Sequence, residues 1–414
     1  MRVSIIQNVL LMFLGGVPVT QCSPQPSPSD IHVGFALDLY RVIGELQKDE
    51  NIVFSPLSVT LALGMVGLGA KETTLHQIRK AIKDDENQEG PEFTILRSIS
   101  KAMTATTASK DYALKLANAL YVQQGSMLRD QYLHRSKDYF NATIKMVNFH
   151  DRAVTAKRLN SWVKNQTNGK IKHLFSSQEF NPHTRMVLVN AIYFKGAWKQ
   201  KFSPENTLLM DFTKQDGSVT QIPMMHLKLT TNIGYFTNDM TEFRVLELLY
   251  SGDKASLIVI LPAKCNDIEY VEKLITAEKI HTWLSEMTEE EVEIKLPRFK
   301  IEQKTNLKES LRHLNVTEIF ESGSNLSRMS DSMELHISKA AHQAFIEVNE
   351  EGSEAAASTG MQAAVIMSLQ HHKFVADHPF LFIIKHNTPG SILFMGRVMN
   401  PEIMSSNGRD TEAL

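Results

Sequence analysis

Two cysteines, three tryptophans and a nearly even balance of charge limit what this 414-residue chain can be. Cys22 and Cys265 are too few to build the disulfide framework of a small secreted scaffold. Lysine and arginine number 44 against 46 acidic residues, so the formal net charge is −2. Nucleic acids and heparin bind strongly basic surfaces, and no basic helix or patch is found. We therefore expect no nucleic-acid partner and no heparin site.

The chain also lacks a long apolar run. No segment approaches the roughly 18 continuous apolar residues that cross a bilayer, so we expect no membrane association. Residues 1–22 instead resemble a signal peptide of uncertain boundary, with Arg2, the apolar stretch 5–14 and small residues near its end. This predicts a secreted, extracellular protein. The Asn-x-Ser/Thr glycosylation acceptors agree with export: Asn141, Asn165, Asn315 and Asn325.

Motifs of common enzymes are missing as well. There is no Gly-x-Ser-x-Gly elbow and no His-Glu-x-x-His zinc pair. Gly64, Gly67 and Gly69 lie in an apolar run and complete no phosphate-binding loop, so close packing explains them better. Cys265 is interpreted as a small buried or half-buried residue rather than a nucleophile. We expect no catalytic residues, no metal and no cofactor.

Hydrophobic periodicity predicts one α+β domain over residues 23–414. Residues 31–46 and 155–172 have the spacing of helices. Residues 51–58 predict a short strand that leads into a helix, with Ser55 as the cap and Pro56 at the first helical position. Strands are predicted in the segments 186–198, 256–261, 291–296, 342–348, 380–385 and 391–397.

Residues 350–366 form an unusual segment that is first acidic and then small and nearly uncharged. Every second residue from Ser353 to Ala363 suits a buried sheet face, whereas the other set begins with Glu354, which suits solvent. A stretch of small residues is also typical of a plain exposed loop. The pattern therefore permits a loop in one state and a central strand in another.

Several motifs, in order along the chain, resemble signatures of the serpin family: residues 51–58, 189–198, 338–352, 350–358, 377–382 and 394–401. The likeness covers residues 30–401 and is greatest to the neuroserpin branch. It implies three β-sheets, named A to C, about nine helices, and an exposed reactive loop over 350–373.

The resemblance further implies an inhibitor and not an enzyme. In serpins a serine protease attacks the loop, forms an acyl bond to it, and is trapped in a covalent complex as the loop inserts into sheet A. We expect a monomer that acts in this way.

The resemblance assigns a hinge to Glu350, Glu351, Gly352, Ser353, Glu354, Ala355, Ala356, Ala357 and Ser358. It assigns a shutter, where sheet A parts, to Ser55, Ser58, Asn190 and His342, and a breach, where insertion begins, to Trp198. For His342 the plain alternative is a buried, hydrogen-bonded histidine.

The reactive bond follows from the family's count from Gly352. That count places it at Ile366–Met367, with Met367–Ser368 as the alternative. No lysine or arginine lies between Ser353 and His372, so the acidic pocket of a trypsin-like enzyme would have no partner. This departs from neuroserpin, which has arginine at the reactive position. We expect an elastase-like or chymotrypsin-like target.

A non-inhibitory serpin that serves as a carrier, storage protein or chaperone is the main alternative. Such members usually have a bulky, charged or proline residue in the hinge. Apart from Glu354 on the solvent side, residues 353–358 are small, which favours inhibition. An enzyme is a remote third alternative, because no catalytic set converges.

Overall fold

Six of the nine described helices precede the strand Met186–Gly196, and most of the strands follow them, so the α+β class is confirmed. The computed structural model describes residues 28–84, 93–106, 112–332, 334–351, 372–388 and 390–401. These residues contain nine α-helices: α1 Pro28–Leu46, α2 Pro56–Gly67, α3 Glu72–Ala81, α4 Thr94–Thr106, α5 Asp130–Phe140, α6 Arg152–Gln166, α7 Ile268–Leu274, α8 Ala277–Glu286 and α9 Leu307–His313. The expected number of helices is thus found in the described part of the chain.

The strands of the described residues pair into two hydrogen-bonded sheets. They are β1 Ile52–Phe54, β2 Tyr112–Gln123, β3 Thr143–Val147, β4 Met186–Gly196, β5 Leu208–Thr213, β6 Val219–Thr237, β7 Glu242–Leu249, β8 Ala255–Pro262, β9 Thr288–Pro297, β10 Phe299–Asn306, β11 Ile337–Val348, β12 His372–Val375, β13 Phe380–His386 and β14 Ile392–Val398. The five-stranded sheet has the order β10-β11-β4-β2-β3. The nine-stranded sheet has the order β1-β14-β13-β8-β7-β6-β9-β12, and β5 pairs with β6 beside this path.

The expected three sheets are joined into two by one long strand. β6 pairs with β5 over residues 219–224, with β9 over 224–233 and with β7 over 233–237. Its first half pairs with β5 and β9, and its last residues pair with β7, so β6 belongs to two parts of the nine-stranded sheet. These two parts and the five-stranded sheet make up the three sheets of the expected fold.

The central strand β4 of the five-stranded sheet is buried on both faces. One face packs on the main apolar core, which includes Leu188 and Ile192 of β4. The other face packs on a smaller core with Leu159 and Val163 of α6. α2 is buried along its whole length. A Cβ on Gly67 would lie 2.4 Å from the Phe93 ring, so this glycine is required by close packing, as the sequence predicts.

Among the described residues, no helix is both long enough and apolar enough to cross a membrane.

Candidate functional site

The β4–β11 junction is the hydrogen-bonded boundary between β4 and β11 inside the five-stranded sheet. The two strands are parallel, and their pairing runs from Met186–Ile337 to Tyr193–Phe345. Both strands therefore end at the same edge, where β11 continues into Glu350 and Glu351. A segment that turned back after Glu351 and entered the junction would run antiparallel to both neighbours, which is a standard pairing for a strand.

A row of buried polar side chains crosses this sheet at one level. The register places Thr305, His342, Asn190 and Asn118 side by side on β10, β11, β4 and β2. Their exposed fractions are 3%, 0%, 0% and 7%. Buried polar groups destabilise a fold unless they find hydrogen-bond partners. The row is therefore a place where contacts across the sheet are specific rather than simply apolar.

Asn190 is the centre of the row. Its amide nitrogen lies 2.9 Å from the Ser58 carbonyl oxygen and 2.7 Å from the Ser58 hydroxyl, and it also contacts the Asn118 amide oxygen. Its own oxygen contacts Nδ1 of His342. Because Asn190 is on β4 and His342 is on β11, this last hydrogen bond spans the β4–β11 junction. Separation of the two strands must break it.

His342 accepts a hydrogen bond at its other ring nitrogen. Nε2 lies 3.0 Å from the backbone nitrogen of Ser55, which donates its proton. Nδ1 must then donate to the Asn190 oxygen, which fixes a neutral ring with its proton on Nδ1. Complete burial lowers the pKa of His342 to about 3, which agrees with a neutral ring at physiological pH.

The start of α2 holds the serines against this row. β1 ends at Phe54, Ser55 is the N-cap of α2, and Pro56 occupies the first turn, as the sequence predicts. The Ser55 hydroxyl accepts from the Ser58 backbone nitrogen at 3.2 Å, so both serines are positioned by one helix end. The four residues Ser55, Ser58, Asn190 and His342, predicted as a shutter from separate motifs, thus form one contiguous hydrogen-bonded cluster.

Trp198 lies at the edge where β4 and β11 end. Its indole nitrogen donates to the Asn349 carbonyl oxygen at 2.8 Å, and its ring stacks on Tyr250 with centroids 4.5 Å apart. The backbone nitrogen of Trp198 donates to the Glu351 oxygen at 3.2 Å, and that of Phe202 donates to the Glu350 oxygen at 3.0 Å. The chain after β11 is therefore bound to the chain after β4. This pairing closes the edge of the junction.

The Glu350 side chain is also fixed at this edge. It is 7% exposed and accepts from the Thr207 hydroxyl at 2.8 Å. Nη1 of Arg298 lies 3.5 Å from the same carboxylate oxygen, an ion pair that offsets the burial of the charge. The Glu351 carbonyl oxygen accepts from the backbone nitrogen of Trp198. The backbone nitrogen of Glu351 donates to Oδ1 of Asn349 at 3.2 Å. The first two residues of the predicted hinge are thus anchored to three separate segments.

The other predicted site residues fall into two groups. Gly352, Ser353, Glu354, Ala355, Ala356, Ala357, Ser358, Ile366, Met367 and Ser368, as well as the predicted signal peptide 1–22, lie outside the described residues. His372 and Lys373, at the end of the expected loop, already belong to β12. Of the glycosylation acceptors, Asn141, Asn165 and Asn315 are exposed. Asn325 is half-buried and donates to Glu72 at 2.9 Å.

Sequence interpretation missed Asn118, Thr305, Thr207 and Arg298. For Asn118 a usable signal was present, because it is a polar residue inside the apolar strand β2, just as Asn190 is in β4. Thr305 follows the alternation of β10 without standing out. Thr207 and Arg298 come from segments far apart in sequence, and no local pattern indicates that both contact Glu350.

Comparisons with known proteins agree with this geometry. The family described as "Serpin (serine protease inhibitor)" matches residues 31–401. The chain is 51% identical to human Serpin I2, with 98% of each chain covered. It is 41% identical to human neuroserpin over 94% of this chain and 95% of the relative. It is 38% identical to mouse leukocyte elastase inhibitor A over 89% of this chain and 97% of the relative. The expected branch is confirmed.

Solved structures give the same fold. Uncleaved ovalbumin superposes with a TM-score of 0.82 at 34% identity, covering 91% of this chain and 100% of the other. Thyroxine-binding globulin in complex with thyroxine gives a TM-score of 0.81 at 27% identity, covering 90% and 99%.

Proposed function

This chain belongs to the serpin family, and on that premise we propose that it is a secreted, glycosylated inhibitor that traps serine endopeptidases as a suicide substrate. The target cleaves the reactive loop and forms an acyl bond to it. The loop then enters the β4–β11 junction and carries the enzyme with it. The inhibitor acts as a monomer, without heparin.

One observation carries this proposal: β4 and β11 are parallel neighbours that end beside the start of the loop. A returning strand fits between them with antiparallel pairing on both sides. Residues 352–366 span about 48 Å when extended at about 3.4 Å per residue. That length exceeds β11, which has 12 residues, so the inserted segment would reach along the whole junction.

Hydrogen bonds alone do not drive the insertion. A central strand of this length forms about 28 backbone hydrogen bonds, which contribute about 0.5–1.5 kcal/mol each. Ordering the segment costs about 1–2 kcal/mol per residue, which is of similar size. Burial of the small alternate side chains must therefore decide the outcome. Ser353, Ala355 and Ala357 fill little space, and a large or charged side chain at one of these positions would stall insertion.

The loop sequence favours an apolar-specific target. Ile366 is the proposed reactive residue, with Met367 as the alternative, and no basic residue lies nearby. An elastase-like or chymotrypsin-like pocket accepts such side chains, whereas the acidic pocket of a trypsin-like enzyme has no partner. The 38% identity to leukocyte elastase inhibitor A supports the same class.

A carrier role is the alternative, because one solved relative is thyroxine-binding globulin in complex with thyroxine. The discriminating observation is the product formed with a protease. A carrier would be cleaved in the loop and released, whereas an inhibitor would remain attached to the enzyme.

The test uses the secreted, purified chain with pancreatic elastase, chymotrypsin and trypsin. We expect a complex that survives boiling in detergent with elastase or chymotrypsin and none with trypsin. Mass spectrometry of the released C-terminal peptide distinguishes cleavage after Ile366 from cleavage after Met367. Cleavage without any complex would contradict the proposal.

A pair of variants tests insertion itself. Ser353→Arg places a large charge on the inserted side and should convert trapping into simple cleavage. Gln370→Arg adds the same charge beyond the reactive bond, where no insertion is required, and should leave trapping intact. Equal trapping by both variants would show that the loop does not enter the sheet.

A further inference from the structure

α9 ends in a tight turn that carries one of the predicted glycosylation acceptors. The backbone nitrogen of Asn315 donates to the Arg312 oxygen at 3.0 Å, and that of Val316 donates to the Leu311 oxygen at 2.9 Å. Asn315 has a φ of 61°, the left-handed conformation that commonly ends a helix. Leu311 and Val316 are fully buried and anchor the turn. The Asn315 side chain is therefore exposed on a backbone that is held in place.

The residues after Asn315 are attached to α3. Thr317, which completes the acceptor tripeptide, donates its backbone proton to the Gln77 amide oxygen at 2.9 Å, and Glu318 donates to the same oxygen at 3.0 Å. The chain is thus held by the end of α9 before Asn315 and by α3 after it. A group linked to the Asn315 side chain starts from a defined position between these two helices.

Asn315 forms part of the wall of a groove where α1, α3 and α9 meet. The groove has a volume of about 420 Å³. Sites for small ligands have volumes of about 300–1,000 Å³, so this groove is large enough to hold one. We name it the three-helix groove and define it by Asn315 and five further lining residues: Asp38 of α1, Thr73, Lys80 and Ala81 of α3, and Leu314 at the end of α9.

The polar side chains of the three-helix groove suit a neutral ligand with many hydroxyl groups. The Asp38 carboxylate is paired with Lys83 at 3.0 Å, so its charge is balanced within the protein. Thr73 and Lys80 are exposed, and they offer a hydroxyl and an ammonium group for hydrogen bonds. A ligand with hydroxyl groups can both donate to and accept from such a lining.

The three-helix groove also offers apolar surface. Ala81 and Leu314 are half-buried and pack against the main core, and both line the groove. A sugar ring has hydroxyl groups at its edge and C–H groups on its faces, so a lining of this mixed kind fits it. A sugar linked to Asn315 needs only weak affinity, because a short linker gives an effective concentration in the millimolar range.

We propose that the three-helix groove binds the glycan attached to Asn315, an inference that rests on the glycosylation proposed above. The occupant is the inner part of that glycan, the N-acetylglucosamine units next to the asparagine. These units cover Ala81 and Leu314 and accept or donate hydrogen bonds at Thr73 and Lys80. The glycan then connects the end of α9 to α3.

The test measures how fast each glycan is removed from the folded, secreted chain. Peptide N-glycosidase releases the glycan and converts the asparagine to aspartate, which mass spectrometry of the peptides records at each site. The glycan on Asn315 should be released about 10-fold more slowly than that on Asn141, because an effective concentration about ten times the dissociation constant leaves it unbound about one tenth of the time. After denaturation the two rates should be equal.

Asn141 is a suitable reference within the same molecule. It is an exposed acceptor at the end of α5, and its φ of 48° gives it the same left-handed backbone as Asn315. The two sites therefore differ mainly in the surface beside the attachment point.

A double variant separates binding in the groove from crowding at the attachment point. Thr73→Ala with Lys80→Ala removes two exposed side chains of the three-helix groove and should raise the native release rate at Asn315 toward that at Asn141. The matched control, Ser161→Ala with Lys164→Ala, removes two exposed side chains of α6 and should leave the rate at Asn315 unchanged. Because the double variant compares Asn315 with itself, it decides the question whether or not Asn141 carries a glycan.

Three results would overturn the groove as a sugar site. These are equal native rates at Asn315 and a glycosylated Asn141, an unchanged rate at Asn315 in the double variant of the groove, and an Asn315 peptide that carries no glycan in the secreted chain. Each leaves the proposed trapping of proteases standing, because the detergent-stable complex tests that separately. Absence of the complex, with the Asn315 glycan protected, would overturn the trapping and leave the groove assignment intact.

Discussion

The β4–β11 junction and the centre of the nine-stranded sheet are joined in different ways. At the junction, a polar pair, His342 and Asn190, meets across two parallel strands. In the nine-stranded sheet, Ile383 of β13 lies between Ile258 of β8 and Met395 of β14, across antiparallel strands. These three residues are at most 3% exposed and have no polar side-chain atoms.

The two boundaries differ in how strongly they resist opening and in whether their contacts can be replaced by contacts to a new strand. The free energy of apolar burial is proportional to the buried area and is lost whenever the strands part, so this apolar centre of the nine-stranded sheet resists opening. Hydrogen bonds at the junction are directional and can be exchanged for hydrogen bonds to a new strand. The proposed insertion of a strand therefore needs the exchangeable hydrogen bonds of the junction, whereas the apolar centre of the nine-stranded sheet favours a boundary that stays closed.

The largest expected loss of stability comes from a change in the nine-stranded sheet. Phe382 is fully buried, packs on Phe299 with ring centroids 6.0 Å apart and pairs with Gly396 across β14. Phe382→Ala should lower the free energy of unfolding by about 3–5 kcal/mol, because it leaves a cavity in a rigid core. Urea unfolding followed by circular dichroism measures this change. Phe382→Leu, which fills part of the cavity, should lose less; an equal loss would contradict the packing explanation.

A smaller loss is expected at the junction. Asn190→Ala removes the partner of His342, Ser58 and Asn118 and should lower the free energy of unfolding by about 2–3 kcal/mol, since buried polar groups lose their hydrogen bonds. The same variant should bind a synthetic peptide of residues 352–365 faster than wild type, because the junction opens more easily. Fluorescence of a labelled peptide follows the binding.

Asn118→Ala is the matched control for that variant. It removes a member of the same polar row that does not contact across the junction. It should cost about 1 kcal/mol and leave the rate of peptide binding unchanged. Equal acceleration by the two variants would contradict a special role for the contact between β4 and β11.

Acid should weaken the junction through His342. Its folded pKa is about 3, below the unfolded value near 6.5, because burial disfavours the charged ring. Above pH 6.5 both states are neutral, and below it only the unfolded state gains a proton. Stability is therefore lost as the pH falls, by about 1.4 kcal/mol per pH unit and about 2 kcal/mol by pH 5.

Unfolding of wild type and His342→Asn between pH 7 and pH 4 isolates this contribution. Burial also lowers the pKa of His386, but that residue is present in both proteins and cancels in the difference. The variant should show a shallower pH dependence. Parallel curves for the two proteins would contradict the buried neutral ring.

Much of the fold and the local structure of the site could be predicted from the sequence, because the signals are local. Ser55 and Pro56 mark the start of α2 through capping and a fixed φ, and the structure has that start. Several boundaries were wrong. The strand predicted over 342–348 begins at Ile337, and the helix predicted over 155–172 begins at Arg152 and ends at Gln166. Asn168 and Gly169 have φ of 51° and 78°, which a helix cannot continue.

The contacts within the site could not be predicted from sequence without knowledge of the fold. Asn118, Asn190 and His342 are separated by 72 and 152 residues and meet only because β2, β4 and β11 are neighbours in register. Strand order depends on long-range pairing, which periodicity does not encode. The anchoring of Glu350 by Thr207 and Arg298 was hidden for the same reason.

The smallest expected effect is at the edge of the junction, where Glu350 pairs with Arg298 at 3.5 Å. Glu350→Gln keeps the size of the side chain and an oxygen for the Thr207 hydroxyl but removes the charge. The loss should be about 0.5–1.5 kcal/mol in urea, and it should shrink in 1 M salt because screening weakens the ion pair in wild type. Glu347→Gln removes a more exposed pair with Lys170 and should change stability by less than about 0.5 kcal/mol. A larger loss for Glu347→Gln would place the closing contact of this edge on β11 itself and not on the residues that lead into the loop.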